Sequence, residues 1–196
     1  MPPIEILRAG RLLLEPVSEI HTYSIWECFE ESVEAFRPFL GWVEDTHSIQ
    51  DIEKFVFRAR QNREAEKEFV FATSEPDGVL AGLVGLHNVD QRHRSAELGF
   101  WVRTSRTRRG ICSAMAARLI RYAFRDLHLY RLFIRHATDN AASGATIRKL
   151  GFVHEGTARE ELVVAGRRLT HETYSMLLPE FEKLRGVLGH FEESSR

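Results

Sequence analysis

The segment Ala96-Glu-Leu-Gly-Phe-Trp-Val102 runs into Arg103-Thr-Ser-Arg-Thr-Arg-Arg-Gly110 and then Ile111-Cys-Ser-Ala-Met-Ala-Ala-Arg-Leu-Ile-Arg-Tyr-Ala-Phe124. Its reading decides the fold. Over residues 96–102, Ala96, Leu98, Phe100 and Val102 share one face while Glu97, Gly99 and Trp101 share the other, the alternation of a strand. Beyond Gly110 there is no proline and no interior glycine. Arg118, Arg121 and Arg125 recur there at three- and four-residue spacing, the polar stripe of an amphipathic helix. A strand that turns into a helix at a glycine aims backbone N–H groups and the positive helix end at the space above Gly110. Arg103, Arg106, Arg108 and Arg109 surround that turn, so the expected occupant is a polyanion, most simply a diphosphate.

The rest of the chain bounds the answer. A length of 196 residues suits one domain with a sizeable core. Hydrophobic residues make up 43% and charged residues 28%, the balance of a soluble globular protein. No apolar run approaches the roughly 18 residues of a membrane span. The first residues lack the charged and apolar regions of a signal peptide. Two cysteines, Cys28 and Cys112, lie far apart, which suits a reducing cytoplasm better than a disulfide scaffold. No cysteine–histidine set has metal-ligand spacing, so no metal is expected.

Net charge is −1, but it is unevenly spread. Nine arginines stand against Asp126 alone between residues 103 and 135, and eight acids stand against Arg37 alone between residues 27 and 53. A nucleic-acid surface would interleave aromatics with its basic residues, and the basic turn has none. A small anionic cofactor at one end and a cationic group at the other is the preferred reading.

The order of elements follows from local signals. Residues 4–15 read as a first strand with a turn at Ala9-Gly10, and residues 17–37 as a helix broken at Pro38. Ser48-Ile-Gln-Asp51 resembles a capping box opening a helix to about residue 66. Strands at 69–73 and 79–87 flank the turn Glu75-Pro-Asp-Gly78. After a polar loop come the strand and helix quoted above, a short strand at 132–136, and a helix from Asn140 ended by Gly151. A closing hairpin turns at Ala165-Gly166, and Pro179 opens a last helix. Residues 1–188 form the expected domain, and 189–196 a frayed polar tail.

Strand, two helices, three strands, helix, strand, helix, two strands: this order resembles the GNAT N-acetyltransferases, and within them the RimJ/RimL branch of ribosomal-protein N-terminal acetyltransferases. The resemblance runs from about Arg11 to Phe181. It rests on Arg11-Leu-Leu-Leu-Glu-Pro16, Arg37-Pro-Phe-Leu-Gly-Trp42, Ala96-Glu-Leu-Gly-Phe-Trp101, Asn140-Ala-Ala-Ser143 and Arg148-Lys-Leu-Gly-Phe152, in family order. It implies a single-domain α/β (α+β) fold whose mixed sheet of about seven strands splays between 96–102 and 131–136. The family's diphosphate loop reads Gln/Arg-x-x-Gly-x-Gly/Ala. Thr107, Arg108, Arg109, Gly110, Ile111 and Cys112 keep only the central glycine, so a non-catalytic module that binds coenzyme A is the alternative.

The resemblance implies acetyl-coenzyme A as donor, its pantetheine arm beside Phe100, Trp101 and Val102. The diphosphate would accept bonds from backbone N–H groups of Arg108, Arg109, Gly110, Ile111, Cys112 and Ser113, with the Ser113 hydroxyl adding to them. Glu97 is the general-base candidate, with Glu160 and Glu161 on the closing hairpin as rivals. A strand glutamate paired with an arginine is the competing reading of Glu97. A carboxylate, with an ordinary pKa of about 4.3, is a weak direct base for an ammonium near 8 to 10 and would need burial or a water chain. Asn140 is expected to bind the pantetheine amide and Ser143 to relay a proton to the thiolate, or both cap their helix. An acetyl-Cys112 route is disfavoured, since no histidine adjoins it in the pattern. Trp26, Phe36, Phe39 and Trp42 are expected to wall the acceptor pocket, with core packing as the alternative.

The acid-rich stretch belongs to the two early helices, which flank the acceptor entrance in this fold. It suggests a cationic acceptor: a protein N-terminal α-amine, a ribosomal protein's included, or a polyamine- or aminoglycoside-like amine. Relatives in this family are monomers or homodimers.

Overall fold

The computed structural model describes residues 5–193. A single eight-stranded sheet runs through it in the order β1-β2-β3-β4-β5-β6-β8-β7. Leu7–Ala9 (β1) and Leu12–Pro16 (β2) form a hairpin, which makes eight strands where about seven were expected. The turn at Ala9-Gly10 splits what reads as one strand; Ile4 lies outside the described residues. Thr22–Phe36 (α1) and Ile49–Glu64 (α2) follow, and then Phe69–Ser74 (β3), Leu80–Asp90 (β4) and Ser95–Val102 (β5). Ile111–Arg125 (α3), Arg131–Ala137 (β6) and Ala141–Lys149 (α4) come next. Val153–Val164 (β7), Arg167–Leu177 (β8) and Leu178–Glu193 (α5) complete the chain.

The two faces of the sheet carry separate cores. On one, the α3 side chains Met115, Leu119 and Ile120 meet Leu98, Leu86 and Phe71 of the strands, all essentially inaccessible. Truncating Leu119 there would cost about 2–5 kcal/mol. On the other, Ile52, Val56 and Ala59 of α2 and Ile25 and Cys28 of α1 cover Val70, Ala72 and Leu83. The face of β5 predicted from alternation is the observed one: Ala96, Leu98 and Val102 are buried against α3, and Trp101 packs toward α1.

β5 and β6 are parallel, and they pair only over Ser95–Arg131, Ala96–Leu132 and Glu97–Phe133. From Leu98 onward β5 keeps its partner β4 and loses β6, while β6 stays paired with β8 through Ala137. The sheet therefore splays between them. Backbone groups on the two facing edges are left for something else to satisfy.

One expectation fails at the C-terminus. Residues 189–193 are not a frayed tail but the last turn of α5. Leu188 is buried and the Glu192 carboxylate reaches Arg121 of α3 at 2.9 Å, while Glu182 reaches Arg125 at 2.8 Å. Burial raises the Glu192 carboxyl's pKa. The arginine stripe of α3 thus faces a second helix. Residues 194–196 of the expected tail lie outside the described residues.

Candidate active site

The turn before α3 is built as the sequence suggests, and its arginines divide into two pairs. Arg103 bonds Glu31 of α1 and the Leu80 carbonyl, at 3.2 Å to the latter. Arg106 bridges Glu75 at 2.7 Å and Asp77 at 2.8 Å. Burial works to raise the Glu31 carboxyl, and hydrogen bonds from Arg103 and the Ser105 N–H outweigh it, holding the pKa at about 2. These two arginines anchor the turn. Arg108 makes no ion pair among the described residues, and Arg109 only approaches Glu75 at 3.7 Å, so both guanidinium groups remain at the exposed lip.

Gly110 holds φ at +77°, a backbone conformation that glycine adopts without steric cost, and a Cβ there would meet nothing within 4 Å. It offers no side chain to cap the helix. Ala114 donates to the Gly110 carbonyl at 3.0 Å, whereas the N–H groups of Ile111, Cys112 and Ser113 find no acceptor among the described residues. Three unpaired donors, a helix dipole and open space form an anion seat. They fit a diphosphate. Cys112 is not poised for nucleophilic work: burial pushes its thiol up to about 12.

The start of α4, unlike that of α3, carries a side-chain cap. Asn140 is the N-cap, and its Oδ1 accepts from the Ser143 N–H at 3.1 Å. The amide NH2 of Asn140 and the hydroxyl of Ser143, both half-buried beside the splay, remain available for a ligand, as do the N–H groups of Ala141 and Ala142, which find no acceptor among the described residues.

The carboxylates expected as bases share one partner. Glu97 takes Arg135 Nε at 3.1 Å and Asn88 Nδ2 at 3.0 Å, while Glu161 takes Arg135 Nη1 at 3.0 Å. Arg135 ties them together, and the hydrogen bond to Glu97 raises the pKa of its guanidinium. Glu160 lies on the bulge of β7 at φ +53°, where its N–H donates to Thr170 Oγ1.

On the α1/α2 face, beside the splay, lies a cavity of about 570 Å3. Trp42, Phe55, Leu83, Phe100 and Trp101 give it apolar walls; Asp45, Asp51, Lys54, Arg58, Glu68 and His87 give it charge; Gly85 and Gly99 form its floor. Of the four aromatics expected to line the acceptor pocket, Trp42 alone does so. Trp26 stacks on Phe29, Phe36 tilts against Trp101, and Phe39 packs against Ala137, Val164 and Leu169. Sequence reasoning missed Glu68 and His87, whose side chains meet at 2.5 Å. The signal was present: Leu83, Gly85 and His87 continue the alternation that faces Trp101, Gly99 and Glu97 across β4 and β5. Among the described residues no group of three or more potential ligands could hold a metal, and no helix is long and apolar enough to cross a membrane.

A splayed mixed sheet thus carries an open helix start at its edge and a cavity beside it. The GNAT acetyltransferase domain matches residues 11–153, and the chain belongs to that family. It is an N-acetyltransferase whose co-substrate is acetyl-coenzyme A. It is 42% identical over 106 residues to YdaF of Bacillus subtilis, provisionally named a ribosomal N-acetyltransferase; the match covers 54% of this chain and 58% of that protein. To the spermidine N(1)-acetyltransferase of Escherichia coli (strain K12) it is 32% identical over 139 residues, 71% of this chain and 66% of that one. Among solved structures, RimL, a ribosomal L7/L12 α-N-protein acetyltransferase in complex with coenzyme A, superposes with a TM-score of 0.86. It is 20% identical, covering 90% of this chain and 99% of its own.

Proposed function

We propose that the protein acetylates the N-terminal α-amine of a protein substrate, a ribosomal protein in the manner of YdaF and RimL. The observation that carries this reading is how the acid-rich segment is spent. Of its eight acids only Asp45 and Asp51 line the cavity. Glu31 serves Arg103, Glu34 serves Arg37 and Glu44 accepts from the Ala165 N–H. Asp51 caps α2 and bonds Lys54. With Lys54 and Arg58 among the walls, the cavity is mixed in charge. That suits a peptide terminus, which brings one cation and several carbonyls, better than a polycation.

In this reading the N–H groups of Arg108 to Ser113, with the lip guanidinium groups of Arg108 and Arg109, hold the diphosphate. The free edge of Phe100, Trp101 and Val102 takes the pantetheine arm as an added strand, with the Asn140 amide as a further donor. The Ser143 hydroxyl relays a proton toward the leaving thiolate. Glu97 and Glu161, sharing Arg135, fix the charge where β5 and β6 part and do not collect the proton. Rates for peptides beginning with serine or alanine, compared with spermidine at two salt concentrations, test the assignment. The peptides are expected to exceed spermidine by about tenfold or more in kcat/KM, with the acetyl group found on the α-nitrogen by mass spectrometry. A salt-sensitive preference for spermidine would overturn it.

A further inference from the structure

We propose that His87 is the general base of the acetyl transfer, oriented by Glu68 and facing the acceptor across a floor of two glycines. The inference rests on the acetyltransferase reading and names the group that takes the acceptor's proton.

Three observations converge. First, Leu83, Gly85 and His87 of β4 pair with Trp101, Gly99 and Glu97 of β5, so all six point to the α1/α2 face. Glu97 is also the last β5 residue paired with β6. His87 therefore stands on the acceptor side, level with the point where the sheet opens. Second, Nδ1 of His87 lies 2.5 Å from Glu68 Oε1, and Glu68 accepts from Asn62 Nδ2 at 2.9 Å. Burial works to raise the Glu68 carboxyl, and the bonds from His87 and Asn62 outweigh it, so it stays ionised as an acceptor. An Nδ1–H donated to a fixed carboxylate leaves the lone pair on Nε2. Third, a Cβ built at Gly85 would come within 2.8 Å of that Nε2, and one at Gly99 within 3.2 Å. The nitrogen lies over the glycine pair, in the cavity, with no hydrogen-bond partner among the described residues; the side chain is 38% exposed. A packing histidine would need no such clearance. A histidine that receives a proton from a ligand does.

The proton balance closes. The acceptor arrives as an ammonium and gives one proton to Nε2. The freed nitrogen lone pair bonds to the thioester carbonyl carbon, the carbon–sulfur bond breaks, and the second amine proton goes to the sulfur. His87 returns its proton to water, so amide, thiol and one released proton are the products. An imidazole suits this exchange near neutral pH better than a carboxylate bound to a guanidinium. The charged groups around His87 are Glu68 ahead of β3, Glu97 on β5, Asp51, Lys54 and Arg58 on α2, and Asp45 in the preceding turn.

The test compares the wild type with His87→Gln and Glu68→Gln over pH, using two acceptors of different basicity so that the acceptor's own ionisation is recognised by its movement. His87→Gln is expected to lower kcat/KM by about 100- to 1,000-fold and abolish the acid limb. Affinity for coenzyme A should change less than about twofold. Glu68→Gln is expected to lower kcat/KM by about tenfold while keeping the acid limb that His87→Gln abolishes, because the ring loses the acceptor that fixes its Nδ1–H. In the cofactor-free wild type, the His87 ring proton followed by NMR should titrate with the midpoint of that limb, a readout that needs no variant to fold. An active wild type with a His87→Gln variant within about threefold of it and an intact limb, or a ring titration that misses the limb, overturns the inference alone. A wild type that acetylates no amine overturns it together with the proposed function.

Discussion

Two helices of this chain start in opposite ways. At α2, Ser48 and Asp51 answer each other: the Ser48 N–H donates to Asp51 Oδ2 at 3.2 Å and its hydroxyl to the same oxygen at 3.1 Å. The His47 N–H donates there as well, at 3.1 Å. That terminus is closed over by its own side chains, and the Asp51 N–H donates to the Ser48 carbonyl at 3.0 Å. At α3, Gly110 provides no cap and three donors stay open. The difference marks where local stability was built in and where a ligand is meant to supply it.

Substitutions should separate the two ends. Gly110→Asp would place a carboxylate in the anion seat, where there is room for it; affinity for coenzyme A is expected to fall by about 100-fold or more, near 2.7 kcal/mol by calorimetry. The φ of +77° adds a local strain of about 1–2 kcal/mol. The pair Arg108→Ala and Arg109→Ala should weaken that affinity about tenfold, with a reduced salt dependence. Arg106→Ala, by contrast, should loosen the turn held on Glu75 and Asp77 and lower the melting temperature. Ser48→Ala at α2 should cost about 0.5–2 kcal/mol of stability and leave cofactor affinity unchanged.

The smallest effect concerns acid. The folded-state pKa of Glu31 is depressed from 4.5 to about 2. Its stabilising contribution is therefore fully present above the unfolded value and is lost as pH falls through the window between the two. Glu31→Gln should flatten the acid-induced drop in melting temperature over that range. An unchanged acid profile would mean that the Arg103 contact does not anchor the turn.

Much of this was legible because the signals are local. The β5 alternation, the Ser48 box, the Gly110 start and the Gly151 stop each depend on residues within a few positions of one another. What was missed depends on distant partners. The last turn of α5 looked like a polar tail because Glu192 is stabilised by Arg121, 71 positions earlier in sequence. Glu97 could be read as a base or as one half of an ion pair, and its arginine stayed unidentified because Arg135 reaches it from another strand. Trp26 and Phe36 looked like pocket walls because their spacing does not say which face of α1 meets β5, and Phe39, past the end of α1, because its neighbours Ala137, Val164 and Leu169 are distant in sequence. His87 was passed over although it lies within the strand read at 79–87, because its partner Glu68 comes from just ahead of another strand, 19 positions earlier in sequence.

The account as a whole depends on the open amides at the start of α3. The direct measurement is a backbone NMR titration of the wild type with coenzyme A. The amides of Ile111, Cys112 and Ser113 should shift together and gain protection from hydrogen exchange, while those at the start of α2 stay put. Binding that leaves the three amides unmoved, or no binding at all, would contradict it.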